Sequence, residues 1–205
     1  EGGGYRLYAY ISDGHGNAAV GNIPLRVNGP VPIPKSRVAK LPLTLYDEAG
    51  RADPPYLPTG WMGNIKALKL DAECTETPHS GKTCLRIDYQ EKEGWGGIVW
   101  QSPPNDWGDK PGGWDLTGAK RLTFWARGGT GDEVLTCSFG LLGRDKKFFD
   151  TATGKLENVK LSKTWQQYSL DLAGKDLTRI KTGFACILAS KGAPITLYLD
   201  DIRFE

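Results

Sequence analysis

Apolar positions recur in steps of two along most of the chain. In "TCLRIDYQ", Leu85, Ile87 and Tyr89 fall on one side and Arg86, Asp88 and Gln90 on the other. "RLTFWARG" sets Leu122, Phe124 and Ala126 against Thr123, Trp125 and Arg127, and "EVLTCSFG" sets Leu135, Cys137 and Phe139 against Thr136 and Ser138. Alternation of this kind marks strands buried on one face. "LTLYDE", "KALKLDA", "GGIVWQS", "TWQQYSLDL", "TGFACILAS" and "ITLYLDDIRF" repeat it, with Gly, Pro, Asn and Asp clusters between them. Helical periodicity lasts no more than a turn, around "DLTRIK". From Leu43 onward the pattern predicts an all-β fold, a two-sheet antiparallel β-sandwich of jelly-roll type. If the first three strands are neighbours, one sheet presents an outer face of Arg, Asp, Gln, Thr, Ser and Trp, the groups a sugar polymer requires.

The start of the chain reads separately. "YRLYAYISD" and "AAVGNIPLRV" alternate around the turn "DGHGN", a hairpin signal. A lone hairpin is not stable by itself, so residues 1–29 read as the last strands of a sandwich whose front is missing, or as strands leaning on the next domain. "GPVPIPKSRVAKLP" follows, proline-punctuated and polar, and residues 30–42 are expected to be a stiff linker.

Composition narrows the chemistry. With 205 residues and a formal net charge of +2, the chain carries no field that points to nucleic acid or to an anionic membrane. Its Lys and Arg residues form no stripe interleaved with aromatics, and no apolar run is long enough to span a bilayer. Cys74 and Cys84 bracket "CTETPHSGKTC", a loop that a disulfide could close, with a gain of about 3 kcal/mol by loop entropy. Cys137 and Cys186 lie in apolar runs, where buried thiols and a second bridge are equally compatible with the pattern. The cysteine usage leans towards a secreted or extracellular protein, periplasmic or cell-surface included.

Four of the seven tryptophans fall within Gly94–Trp114, "GWGGIVWQSPPNDWGDKPGGW". An indole matches the C–H face of a pyranose, and neighbouring amide, carboxylate and guanidinium groups take its hydroxyls. Trp95, between glycines, and Trp107, on a proline-stiffened loop, are the expected stacking platforms. Trp125 is a further candidate, and Gln101, Asn105, Asp106 and Arg127 are the candidate hydrogen-bonders. Trp100, Trp114 and Trp165 are expected to pack. "SGKT" at Ser80–Thr83 lacks the first glycine of a phosphate loop. The loop carboxylate pairs Glu91/Glu93, Asp106/Asp109 and Asp132/Glu133 leave a jelly-roll hydrolase or lyase as the alternative, and a purely structural or adhesive module as a third class.

The order "HSGKTCLRIDY", "GWGGIVWQ", "DLTGAKRLTFWARG", "TWQQYSLDL", "LYLDDIRF" resembles the jelly-roll carbohydrate-binding modules appended to polysaccharide-degrading enzymes, over residues 43–205. Residues 1–29 likewise resemble the end of an immunoglobulin-like domain. The resemblance implies a non-catalytic module that binds a polysaccharide and serves a catalytic domain, a glycoside hydrolase, on the same parent chain. It also implies a structural Ca2+ between the first and last strands, with Asp47, Glu48, Asp200 and a carbonyl near Lys82 as ligands; calcium takes six to eight oxygens.

Overall fold

A computed structural model describes residues 4–26 and 35–205, and the chain divides into two units, Glu1–Pro34 and Lys35–Glu205. In the first, β1 (Gly4–Ser12) and β2 (Ala18–Arg26) pair antiparallel as the expected hairpin. Asp13 organises its turn by accepting the backbone N–H groups of His15 and Asn17. The pairs Tyr5–Leu25 and Leu7–Ile23 give one face of this ribbon an apolar, exposed surface. Residues 1–3 and 27–34, which include the ends of the N-terminal segment and the first half of the expected linker, lie outside the described residues.

The second unit is the two-sheet antiparallel sandwich that the alternation predicts. Its strands are β3 (Arg37–Val38), β4 (Leu43–Tyr46), β5 (Leu57–Gly63), β6 (Leu68–Cys74), β7 (Cys84–Tyr89), β8 (Glu93–Gln101), β9 (Trp114–Asp115), β10 (Arg121–Gly128), β11 (Val134–Phe139), β12 (Gly154–Lys160), β13 (Gln166–Asp171), β14 (Thr182–Lys191) and β15 (Ile195–Phe204). One sheet runs β13-β10-β15-β7-β6, with β4 also paired to β15; the other runs β12-β11-β14-β8-β5. Phe124 meets Phe184 edge-on at 5.4 Å, and Phe139 meets Phe204 at 6.1 Å, so the two inner faces interdigitate. Trp100 joins this core at 1% exposure, the packing role expected of it.

Residues 35–42 are built into this unit rather than forming a free linker. β3 pairs parallel with β9, Ala39 donates to the Asp115 carbonyl, and Leu41 packs against the core. Around "DLTRIK" there is no helical turn; Ile180 bridges to Trp114 instead. Among the described residues the one helical element is a 3-10 turn, Ile65–Ala67, and no helix is long and apolar enough to cross a membrane.

Candidate functional site

Because Ile98 and Trp100 point into the core, Trp95, Gly97, Val99 and Gln101 on β8 point outward from the five-stranded sheet. Register extends this outer face sideways. Met62, Gly97, Ile187 and Thr136 stand directly opposite one another across four strands, with Met62, Ile187 and Thr136 half-buried, whereas in the next row Gly60, Val99, Ala185 and Ser138 are covered and only Lys155 is exposed. A β-carbon on Gly97 would stand 3.1 Å from Met62 and 3.2 Å from Ile187, so these two side chains close over the glycine and make a low shelf. Trp95 stands at its end, 49% exposed, beside exposed Ala189. A half-exposed indole beside Ala189 and the shelf of Met62 and Ile187 is an aromatic platform on which a flat ligand can rest.

At the other end of β8, about 20 Å along at roughly 3.3 Å per residue, the loop Ser102–Gly113 departs and carries Trp107, which is half-buried. Asp106 holds this loop from inside. Its carboxylate accepts the N–H groups of Gly108, Asp109 and Lys110 and pairs with the Lys181 ammonium, both side chains being 1% exposed. Burial works against its ionisation, but Lys181 and the backbone donors outweigh it and hold the carboxyl below its usual range. Gln101, also 1% exposed, donates to the Asp106 carbonyl and accepts from Thr59. Asp106 and Gln101 therefore secure the loop internally and are not offered to a ligand, contrary to expectation. Asn105 is exposed, with only its backbone N–H engaged, by Thr59.

Trp125 and Arg127 lie elsewhere. β10 belongs to the six-stranded sheet and β11 to the five-stranded one, so the single outer face expected from β7, β10 and β11 is split between two. The loop Thr75–Thr83 folds back over the six-stranded sheet, and these two residues hold it there. His79 stacks on Trp125 with centroids 3.7 Å apart, while Arg127 donates to the Glu76 carbonyl and Thr77 hydroxyl and lies 3.6 Å over Tyr198. Trp165 donates to the Thr77 carbonyl, and Trp114 to that of Pro55; both pack, as expected. Beneath the loop Cys74 faces Cys84 across β6 and β7, as a pair of buried thiols rather than the bridge expected. Burial, then the neighbouring Cys74, pushes the Cys84 thiol up to about 12.

The expected calcium ligands do not assemble. Asp47 pairs with Arg51 at 3.0 Å. Glu48 accepts the Lys82 N–H and the Thr83 hydroxyl. Asp200 accepts the N–H groups of His79, Ser80 and Asp201. Donor hydrogens thus point at the oxygens a cation would need, and among the described residues no group of three or more His, Cys, Asp or Glu is placed to hold a metal ion. Trp61, on edge strand β5, is 37% exposed and was not singled out from the sequence, because "LPTGWMG" does not read as a strand.

No family model matches the chain, and no curated protein matches it. Among solved structures it is similar to the family 30 carbohydrate-binding module of the cellulosomal cellulase Cel9D-Cel44B of Clostridium thermocellum (TM-score 0.56, 16% identity, covering 81% of this chain and 98% of that one). It is also similar to the family 11 carbohydrate-binding module of the cellulosomal cellulase Lic26A-Cel5E of the same organism (TM-score 0.50, 12% identity, 81% and 95% covered). A third likeness is to the Endo-D glycoside hydrolase domain Spr0440 from Streptococcus pneumoniae R6 (TM-score 0.50, 17% identity), covering 71% of this chain and 21% of that one. At these identities the likeness is one of fold: the second unit has the β-sandwich fold of carbohydrate-binding modules.

Proposed function

We propose that residues 35–205 are a non-catalytic carbohydrate-binding module whose polysaccharide ligand lies on the outer face of the five-stranded sheet. Trp95 stacks on a sugar ring, and the Trp107 loop with Asn105 bounds the far end. The observation that carries this reading is an indole half in solvent beside exposed Ala189 and the low shelf of Met62 and Ile187, in a fold shared with carbohydrate-binding modules. The loop carboxylate of Asp106, a candidate acid, is committed to Lys181, which leaves the Asp106/Asp109 pair without a free partner for hydrolysis. One or two stacking rings with a few hydroxyl contacts correspond to dissociation constants of about 1 µM to 1 mM.

On the same reading the module is secreted and holds a catalytic domain of its parent chain near substrate, raising effective concentration without chemistry of its own. The hairpin of residues 4–26, unstable as a lone ribbon, belongs to an immunoglobulin-like neighbour. Affinity electrophoresis in gels cast with soluble glucan, xylan or mannan tests the binding function: retardation by at least one polysaccharide is expected, with no release of reducing ends. Unchanged mobility in all of them overturns it.

A further inference from the structure

A second aromatic platform lies on the opposite side of β5. Trp61 stands directly opposite Ile98, a core-facing residue, whereas Trp95 shares its side with Gly97 and Val99. The Trp61 ring therefore projects from the open edge of the sandwich, where β5 and β6 border different sheets. There it lines a depression of about 470 Å³ with Leu68 and Leu70 and the charged residues Lys69, Asp71, Arg86 and Asp88. Lys69 is directly opposite Asp88, and Asp71 opposite Arg86, so charges of both signs alternate along the β6–β7 wall of the depression that Trp61 also lines. Arg86 is kept in place by Asp88 at 3.2 Å and Glu76 at 3.1 Å.

The lining selects a chemical class. An anion would confront Asp71 and Asp88, and a cation Lys69 and Arg86. A neutral polyol suits both, because carboxylates accept from its hydroxyls while the ammonium and guanidinium donate to them. The indole offers the apolar surface that the C–H face of a pyranose needs. We propose that this depression is a second glycan-binding site, taking a neutral hexose unit on Trp61, so that the module holds two segments of polysaccharide on opposite sides of β5. The inference rests on the carbohydrate-binding reading above and extends it from one site to two.

The whole chain, with its tryptophan indoles 15N-labelled, is titrated with cellohexaose, xylohexaose and mannohexaose while the indole N–H signals are followed. The expected result is that a hexasaccharide moves both the Trp61 and Trp95 signals at different half-saturation concentrations. In Trp95→Ala the Trp61 response persists, and in Trp61→Ala the Trp95 response persists. Lys69→Ala, an exposed substitution that leaves the indole in place, weakens the Trp61 response several-fold and leaves that of Trp95 unaltered. If Trp95 responds and Trp61 does not, or if both responses vanish in Trp95→Ala, the second site is overturned while the primary reading stands. If neither signal moves with any of the three, both readings fall.

Discussion

Gly63 supports the ring of Trp95 from β5: a β-carbon at Gly63 would stand 2.9 Å from the indole carbon Cε3, and its φ of +67° is one that favours glycine. The ring rests on backbone, so it is positioned without being buried. Trp95→Ala is therefore expected to weaken polysaccharide binding by about tenfold or more, about 1.4 kcal/mol per tenfold. An exposed substitution changes stability by about 0.5 kcal/mol or less, so the melting temperature should hold. Affinity electrophoresis and calorimetric melting of the same variant check both halves. A large drop in melting with binding intact would make Trp95 a structural residue.

The sandwich was legible because nine of its strands carry the two-residue alternation. β5 and β12 were not, and these are the two edges of the five-stranded sheet. Edge strands tolerate what interior strands exclude: Pro58 and Gly60 break β5 at a register shift, and "GKLENVK" of β12 is mostly polar. Losing β5 hid Trp61. The candidate site was half legible. Trp95 announced itself through flanking glycines, but alternation gives the side of a strand and not the sheet it joins, so Trp125 and Arg127 were grouped with residues of the other face. Asp106 and Gln101 looked like free polar groups because their partners are distant in sequence: Lys181 lies 75 residues from Asp106, and Thr59 lies 42 residues from Gln101.

Trp125 gives a contrast to Trp95. Its face is covered by His79, whose Nδ1 in turn lies 2.7 Å from Asp201. Trp125→Ala removes the surface on which the Thr75–Thr83 loop is stacked and is expected to cost about 2 kcal/mol, within the common range for a lost packing contact. Glycan binding by the folded protein should be unchanged. Loss of binding without loss of stability would return Trp125 to the ligand site.

Each cysteine faces another across neighbouring strands, Cys74 opposite Cys84 and Cys137 opposite Cys186, and all four are buried thiols. Burial raises the thiols of Cys84, Cys137 and Cys186, which disfavours the reactive thiolate. The native protein is expected to be inert to a thiol-specific disulfide reagent at pH 8, and all four groups should react in guanidinium without reductant. A count of two in the denatured protein would show that one pair is bridged.

Asp47, Glu48 and Asp200 each face N–H or O–H donors, so calcium would have to displace those hydrogen bonds before it could be held. Neither millimolar calcium nor a chelator is expected to shift the melting temperature. A rise with calcium, reversed by chelator, would show that the Ser80–Thr83 turn rearranges around a bound ion.

The Asp106–Lys181 pair is the anchor of the Trp107 loop, and its removal separates two costs. Asp106→Asn leaves a buried ammonium without its counter-charge and turns an amide N–H towards donors, a change worth about 3–5 kcal/mol. Lys181→Met leaves Asp106 its three backbone donors, so it should cost less, and combining the two should recover part of the loss. The carboxyl of Asp106 lies below its ordinary value of 3.8 in the folded protein. Its contribution is therefore complete above about pH 4 and is lost as the pH falls through the folded value, because the unfolded chain takes up the proton first. Urea melts between pH 6 and pH 3 should show this acid-dependent loss in the parent protein and a shallower one in Asp106→Asn. Equal slopes in the two would show that the pair does not carry the acid sensitivity of the fold.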